Sequence, residues 1–210
     1  MLFRSMTLDE YRSTADRLLD PFVGFAARVG LTPNAVSVIA FAFAVVAGMA
    51  YVLADGAPLW YLVGAICVAL NGALDLLDGA LARRLGTPSP AGDLLDHVLD
   101  RYADLVLVVG LALGVSRPTL GLAAVTGVLL TSYLGTQAQA VGLDRVYGGL
   151  LGRADRLALI GIVTGLAAFV RPEIVGLGPV AWLLVVFAVV GHLTAVQRLY
   201  HALGALTVNG

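Results

Sequence analysis

Six acidic residues crowd into positions 75–104 of an otherwise apolar stretch: Asp75, Asp78, Asp93, Asp96, Asp100 and Asp104. Asp75 and Asp78 are three apart, which puts them on one face of a helix, and Gly79, Ala82 and Arg83 continue that face. Asp96, Asp100 and Asp104 follow at intervals of four, a second acidic stripe, with Gly92 one turn earlier. The connection between the two helices is short, so they pack antiparallel and the stripes can face each other. Unpaired carboxylates in a membrane interior are strongly disfavoured and repel one another. Protons could neutralise them, as could Arg83 and Arg101, but hard divalent cations suit an all-oxygen cluster best. His97 is the one softer donor nearby, and on a helix it points about 100° away from Asp96. Two ions bridged by shared carboxylates would bind a diphosphate and polarise its phosphorus, an arrangement suited to phosphoryl transfer. Gly72, Gly79, Ala82 and Gly92 give a phosphorylated ligand room to approach the backbone, although small residues also serve close packing of membrane helices.

The elements that must hold these residues follow from composition. The 210 residues have a mean hydropathy of +0.90, with 59% hydrophobic and 13% charged. Soluble domains carry about 25% charged residues, so the expected solvent is a bilayer. The net charge of -1 says nothing of nucleic acid, but there is no basic tract to bind one, and no nucleic-acid partner is expected. All thirteen basic residues are Arg, and the single Cys67 lies in an apolar run, so disulfides play no part. Six segments are long enough to span as helices: 34–54, 58–82, 93–115, 119–141, 155–170 and 179–203, the fifth being the shortest. Turn signals separate them, among them the stretch from Gly86 to Gly92 with Pro88 and Pro90. The expected class is an all-α integral membrane protein with a single embedded domain over 1–210, comprising an interfacial helix in 1–30 and a six-helix core in 31–210.

In 7–29, Leu8, Tyr11, Ala15, Leu18, Leu19, Phe22 and Phe25 recur at helical spacing with charges between them, predicting an amphipathic helix in the membrane interface, kinked or split at Pro21. Eight charged residues in 1–30 also argue against a cleavable signal. Thr32-Pro33 is a strong start for the first span. Eleven Arg fall on the side that holds both termini and only Arg117 and Arg171 on the other, predicting cytoplasmic termini and a multi-pass cell-membrane protein.

Asp75-Leu-Leu-Asp78-Gly79-Ala-Leu-Ala82-Arg83, eight residues, then Gly92-Asp-Leu-Leu-Asp96-His-Val-Leu-Asp100 resembles the complete signature of the CDP-alcohol phosphotransferases. The resemblance implies that Asp75, Asp78 and Asp96 hold two divalent ions, Mg²⁺ or Mn²⁺. It implies that Asp100 joins the metal site and deprotonates the acceptor hydroxyl. Gly79, Ala82 and Arg83 would line the CDP site, with Gly92 giving room. A CDP-activated lipid and a polar alcohol would be the substrates, CMP the leaving group, and a homodimer the assembly.

The stretch Gln137 to Gly142, Gly148 to Arg156 and the run Asp100-Arg101-Tyr102-Ala103-Asp104 resemble the inositol-phosphate branch of that family, the phosphatidylinositol-phosphate and archaetidylinositol-phosphate synthases. Arg153 and Arg156 at a helix start suit the acceptor's phosphate; anchoring beside lipid phosphate is the plainer explanation. Gln137 and Gln139 stand where that branch usually places basic residues, which leaves glycerol phosphate as the alternative acceptor. His192, Gln197, Arg198 and His201 are read chiefly as anchoring or helix-packing groups, and Asp104 as a partner for Arg101 or Arg156. Two other classes compete: a metal-ion transporter, whose site belongs near the bilayer midplane, and a scaffold whose acids are satisfied by Arg.

Overall fold

The computed structural model describes residues 12–143 and 151–209, all helix and connecting turns apart from one isolated bridge between Ile174 and Leu177. Seven helices follow in order: α1 Arg12–Arg28, α2 Pro33–Leu53, α3 Leu59–Leu85, α4 Pro90–Gly114, α5 Pro118–Ala140, α6 Arg153–Ala167 and α7 Pro179–Asn209. The expected helix start at 7–11, Arg4, Arg145 and the Gly148-Gly149 pair lie outside the described residues.

The chain's caps set the register of the acidic helices. Thr32 Oγ1 accepts from Ala35 N at 3.2 Å and Pro33 takes the first turn of α2. Helix α3 runs three residues past the expected 82, until Gly86 takes a left-handed φ of 64° and turns the chain. Ser89 then caps α4, its Oγ accepting from Gly92 N at 3.1 Å, with Pro90 in the first turn. The real connection is therefore Gly86–Ser89, and Gly92 and Asp93 belong to the first turn of α4. Arg83 and Arg84 sit in the last turn of α3, where the helix dipole favours cations.

Helix α2 packs on both α3 and α4, which have no Cα within 8 Å of each other. The close antiparallel packing expected of α3 and α4 is thus replaced by convergence of their side chains beside α2. Helix α5 pairs with α7, and α6 lies against α3 and α7. Glycines permit the closest approaches. A Cβ on Gly110 of α4 would lie 2.4 Å from Gly48 O of α2, and one on Gly191 of α7 would lie 2.8 Å from Gly127 C of α5. Tyr51 lies fully buried beneath Gly64, its hydroxyl 3.1 Å from Thr164 Oγ1, which ties α2 to α6. Because backbone atoms crowd Gly110 on the α2 side, Gly110→Ala should cost about 1–3 kcal/mol of stability by overpacking. A lowered midpoint in thermal unfolding of the purified protein checks this; an unchanged midpoint would show that α2 and α4 can separate freely.

Helices α2, α3, α5 and α7 are long and apolar enough to cross a membrane. Helix α4 carries four aspartates and Arg101 within its first fifteen residues, and α6 has 15 residues, about 22 Å of helix against a hydrocarbon core of about 30 Å. Helix α1 continues through Pro21 as one helix, so the proline does not split it. Its Val23 and Ala26 pack on Val36, Leu77 and Leu81, whereas Phe22, Phe25 and Val29 face outward. Arg84 Nη1 donates to Asp20 Oδ1 at 2.9 Å and holds α1 to the acidic end of α3.

Candidate active site

The two acidic stripes do converge. Ligand oxygens of Asp75, Asp78 and Asp96 all lie within 4.8 Å of one another, the first two from α3 and the third from α4. At that separation each pair of bare charges repels by at least about 3 kcal/mol at an effective dielectric near 20. Asp78 is buried and its Oδ2 accepts from Ser37 Oγ at 2.6 Å, a bond that aims the carboxylate from α2. Three converging carboxylates with no soft donor among them form a hard-oxygen set that fits a divalent cation.

Asp100 and Asp104 continue down α4 and meet arginines instead. Arg153, at the start of α6, forks between two helices: Nη1 donates to Asp75 Oδ2 at 2.5 Å and Nη2 reaches Asp100 Oδ1 at 2.7 Å. Arg156 Nη2 donates to Asp104 Oδ2 at 2.6 Å, with both side chains buried. Arg101 lies 3.7 Å from Asp100 and 3.8 Å from Asp104, and its Nη1 donates to Ser132 Oγ of α5. The expected pairing of Asp104 thus occurs with both arginines.

The three convergent carboxylates, Asp100 and Arg153 border a cavity of about 1600 Å³. Its polar end is walled by Asp75, Asp78, Gly79, Ala82, Arg83, Gly92, Asp96, Asp100 and Arg153, and its apolar end runs between α3 and α6. Gly79 faces the cavity rather than a helix crossing: a Cβ there would meet only the Arg83 guanidinium, at 3.4 Å, whereas one on Gly72 would touch Leu157 Cδ1 of α6 at 3.6 Å. Gly92 differs, since a Cβ there would press on Ser89 Oγ and Asn34 Oδ1 at 3.2 and 3.3 Å. Its smallness lets the start of α4 sit against α2. Of the residues expected in the site, only Arg156 stands off the cavity wall. Three residues on from Arg153, it lies one turn deeper along α6 and rotates toward Asp104.

Some residues at the site carried no motif. Ser37, Asn34 and Thr32 bring the start of α2 to the cavity, and a lone serine one turn inside an apolar span was the one available signal for Ser37. His97 lines the wall, with its Nδ1 2.7 Å from Asp93 O. His192 lies 3.3 Å from Thr126 Oγ1, and Arg198 Nη1 donates to Thr131 O at 2.7 Å, contacts between α7 and α5 that fit the packing role expected of them.

An all-oxygen cluster, with Asp78 buried and Asp75 and Asp96 half-buried, stands beside the cavity and the arginine fork, a set whose chemistry suits metal-assisted phosphoryl transfer. The CDP-alcohol phosphatidyltransferase family profile matches residues 30–196, and the chain belongs to that family. It is therefore a transferase of phospholipid metabolism and a membrane protein. The archaetidylinositol phosphate synthase of Methanothermobacter thermautotrophicus is 30% identical over 196 residues, 92% of this chain and 93% of that protein. The phosphatidylinositol phosphate synthase of Mycolicibacterium smegmatis is 33% identical over 203 residues, 93% of this chain and 89% of the other. Among solved structures, Mycobacterium tuberculosis phosphatidylinositol phosphate synthase with CDP-DAG bound superposes with a TM-score of 0.76 at 26% identity, covering 89% of this chain and 94% of that one. The same enzyme in complex with manganese and citrate gives 0.75 at 26% identity, over 87% of both chains.

Proposed function

We propose that this chain transfers a phosphatidyl-type group, diacyl or dialkyl, from a CDP-activated lipid to inositol phosphate, releasing CMP. The observation that carries the reading is the charge balance of the cluster. Asp75, Asp78, Asp96, Asp100 and Asp104 bring five negative charges against three positive on Arg101, Arg153 and Arg156. The remaining two negative charges call for one divalent cation, and the diphosphate of a CDP-lipid adds two more, which calls for a second. Asp75, Asp78 and Asp96 would hold these ions, Mg²⁺ or Mn²⁺, which when bound stabilise charge on the diphosphate.

The chain's own groups do the rest. Gly79, Ala82 and Arg83 of α3 receive the cytidine diphosphate, and Gly92 keeps α4 close enough to close the site. Asp100 takes the proton of the acceptor hydroxyl as its oxygen bonds to the phosphorus attached to the lipid. The bond from that phosphorus to the CMP oxygen breaks, and CMP departs with its electron pair. Arg153 orients Asp100 through its Nη2, and its guanidinium on the cavity wall would receive the acceptor phosphate. The same reading takes α2 to α7 as six spans of one embedded domain, α1 as an interfacial helix with Phe22 and Phe25 in the lipid, and both termini and the site as cytoplasmic. The outward-facing apolar residues of α1 support the interfacial placement, and the family resemblance extends the proposal to a homodimer.

The test is CMP release by purified protein from a CDP-lipid with Mg²⁺ or Mn²⁺, comparing inositol phosphate, glycerol phosphate and serine. Inositol phosphate should be turned over at least tenfold faster than either competitor. Preference for glycerol phosphate would keep the chemistry and replace the acceptor; no CMP release with any of the three would sink the transferase reading.

A further inference from the structure

Helices α4 and α6 are coupled across a gap by side chains alone. No Cα of α4 comes within 8 Å of one on α6, yet two arginine–aspartate rungs bridge them: Arg153 to Asp100 at 2.7 Å and Arg156 to Asp104 at 2.6 Å. The spacing explains the pair, since residues three apart on α6 meet residues four apart on α4, one helical turn on each. The upper rung opens to the cavity. The lower rung is sealed: the side chains of Arg156 and Asp104 are 5% and 4% exposed, and neither lines the cavity.

The geometry points to Asp104 and Arg156 as a positioning pair for the transfer reaction, a role that rests on Arg153 and Asp100 acting as proposed above. Asp104 sits where three helices meet. It receives Arg156 of α6 directly and lies 3.8 Å from Arg101, which bonds onward to Ser132 of α5. At its far end α6 is held by Thr164 against Tyr51 of α2. A polar tie at each end therefore sets both the height and the rotation of α6, so the lower rung fixes where the Arg153 fork meets Asp75 and Asp100. Arg156 has no route to substrate from this position; it acts through Arg153. Removing Asp104 alone strands Arg156 as a buried charge, and removing Arg156 alone leaves Asp104 to Arg101 at 3.8 Å. Removing both leaves only Arg101, which keeps Asp100 at 3.7 Å.

Three variants of the full chain test the assignment: Asp104→Asn, Arg156→Gln, and the two combined. Turnover is measured with CDP-lipid and the preferred acceptor, below each variant's unfolding temperature, alongside Mn²⁺ affinity by titration. Each single change should lower kcat about 100-fold, the scale of a misplacement of about 1 Å, with KM for both substrates within about threefold. Mn²⁺ affinity should stay within about threefold as well, because Asp75, Asp78 and Asp96 lie on α3 and α4. The double variant should regain at least tenfold in kcat over either single. A role confined to stability would lower the unfolding temperature while leaving kcat of the folded enzyme intact, and that result overturns the proposal. A rise in acceptor KM alone for Arg156→Gln also overturns it, making Arg156 a substrate contact. If a single variant does not fold, the double decides: kcat within threefold of wild type supports a rung made dispensable by neutralisation of both sides, and kcat as low as that of an Arg153→Ala control overturns it. Absence of wild-type turnover is a different failure, of the transferase reading itself.

Discussion

Asp100→Asn is expected to lower turnover by about a thousandfold while CDP-lipid binding stays nearly unchanged. Asparagine keeps the shape of aspartate and its carbonyl can still accept from Arg153 Nη2, now 2.7 Å from Asp100 Oδ1. The upper rung between α4 and α6 therefore survives, and the residues proposed to receive cytidine diphosphate are on α3. What disappears is a base facing the cavity. General-base catalysis contributes about 10²–10⁴-fold, so a thousandfold loss, about 4 kcal/mol, is the size the assignment requires. Single-turnover release of CMP and equilibrium binding of CDP-lipid separate the two effects. Near-normal rates at saturating metal would place the base elsewhere.

Asp78→Asn should produce a larger and opposite pair of changes: loss of metal binding and activity, with a gain in the stability of the metal-free protein. Asp78 is the most enclosed of the three convergent carboxylates, and its Ser37 bond relieves only part of its repulsion with Asp75 and Asp96. Removing its charge takes away two repulsive pairs, each at least about 3 kcal/mol before solvent and side-chain relaxation, so thermal unfolding in chelator should move upward. Mn²⁺ affinity should fall at least 100-fold, and the stabilisation that metal gives wild type, about 2.7 kcal/mol at a hundred times Kd, should vanish. Ser37→Ala, which leaves all three carboxylates in place, should cost about tenfold in affinity, the lower end for groups that orient metal ligands. Calorimetric or spectroscopic Mn²⁺ titration with unfolding scans tests the series. If Asp78→Asn kept wild-type Mn²⁺ affinity, the carboxylate cluster would not be the metal site. If instead activity were retained and stability rose, the scaffold interpretation of these acids would stand.

Much of this architecture was legible because it depends on short-range rules. The helices fall within a few residues of the apolar segments, and the differences trace to local chemistry. Helix α3 outlasts its apolar run because Gly86 alone supplies the left-handed turn that ends it, and α4 begins early because Ser89 and Pro90 cap it. Of the kink or split expected at Pro21, the split does not occur. A proline removes one backbone hydrogen bond, but packing of Val23 and Ala26 on α3 keeps α1 continuous.

Small residues were ambiguous for a different reason. Gly79 and Gly110 look alike in a sequence, yet one borders open cavity and the other touches the backbone of α2. The same holds for Arg153 and Arg156. Three residues apart at one helix start, they appeared as twin anion-binding groups, but α6 presents only the first to the cavity and buries the second against Asp104.

The sequence by itself determined which aspartates share a face, where the helices lie to within a few residues for most of them, that a bilayer is the solvent and that hard cations suit the site. Those properties follow from residue spacing, caps and composition, all set within a few turns of chain. Only the tertiary structure decided that Ser37 aims Asp78, that Arg153 forks between Asp75 and Asp100, and that Arg156 belongs to the interior. These contacts join residues 41 to 78 positions apart, and the distance between two helix faces is set by packing of the helices around them, which no local pattern encodes.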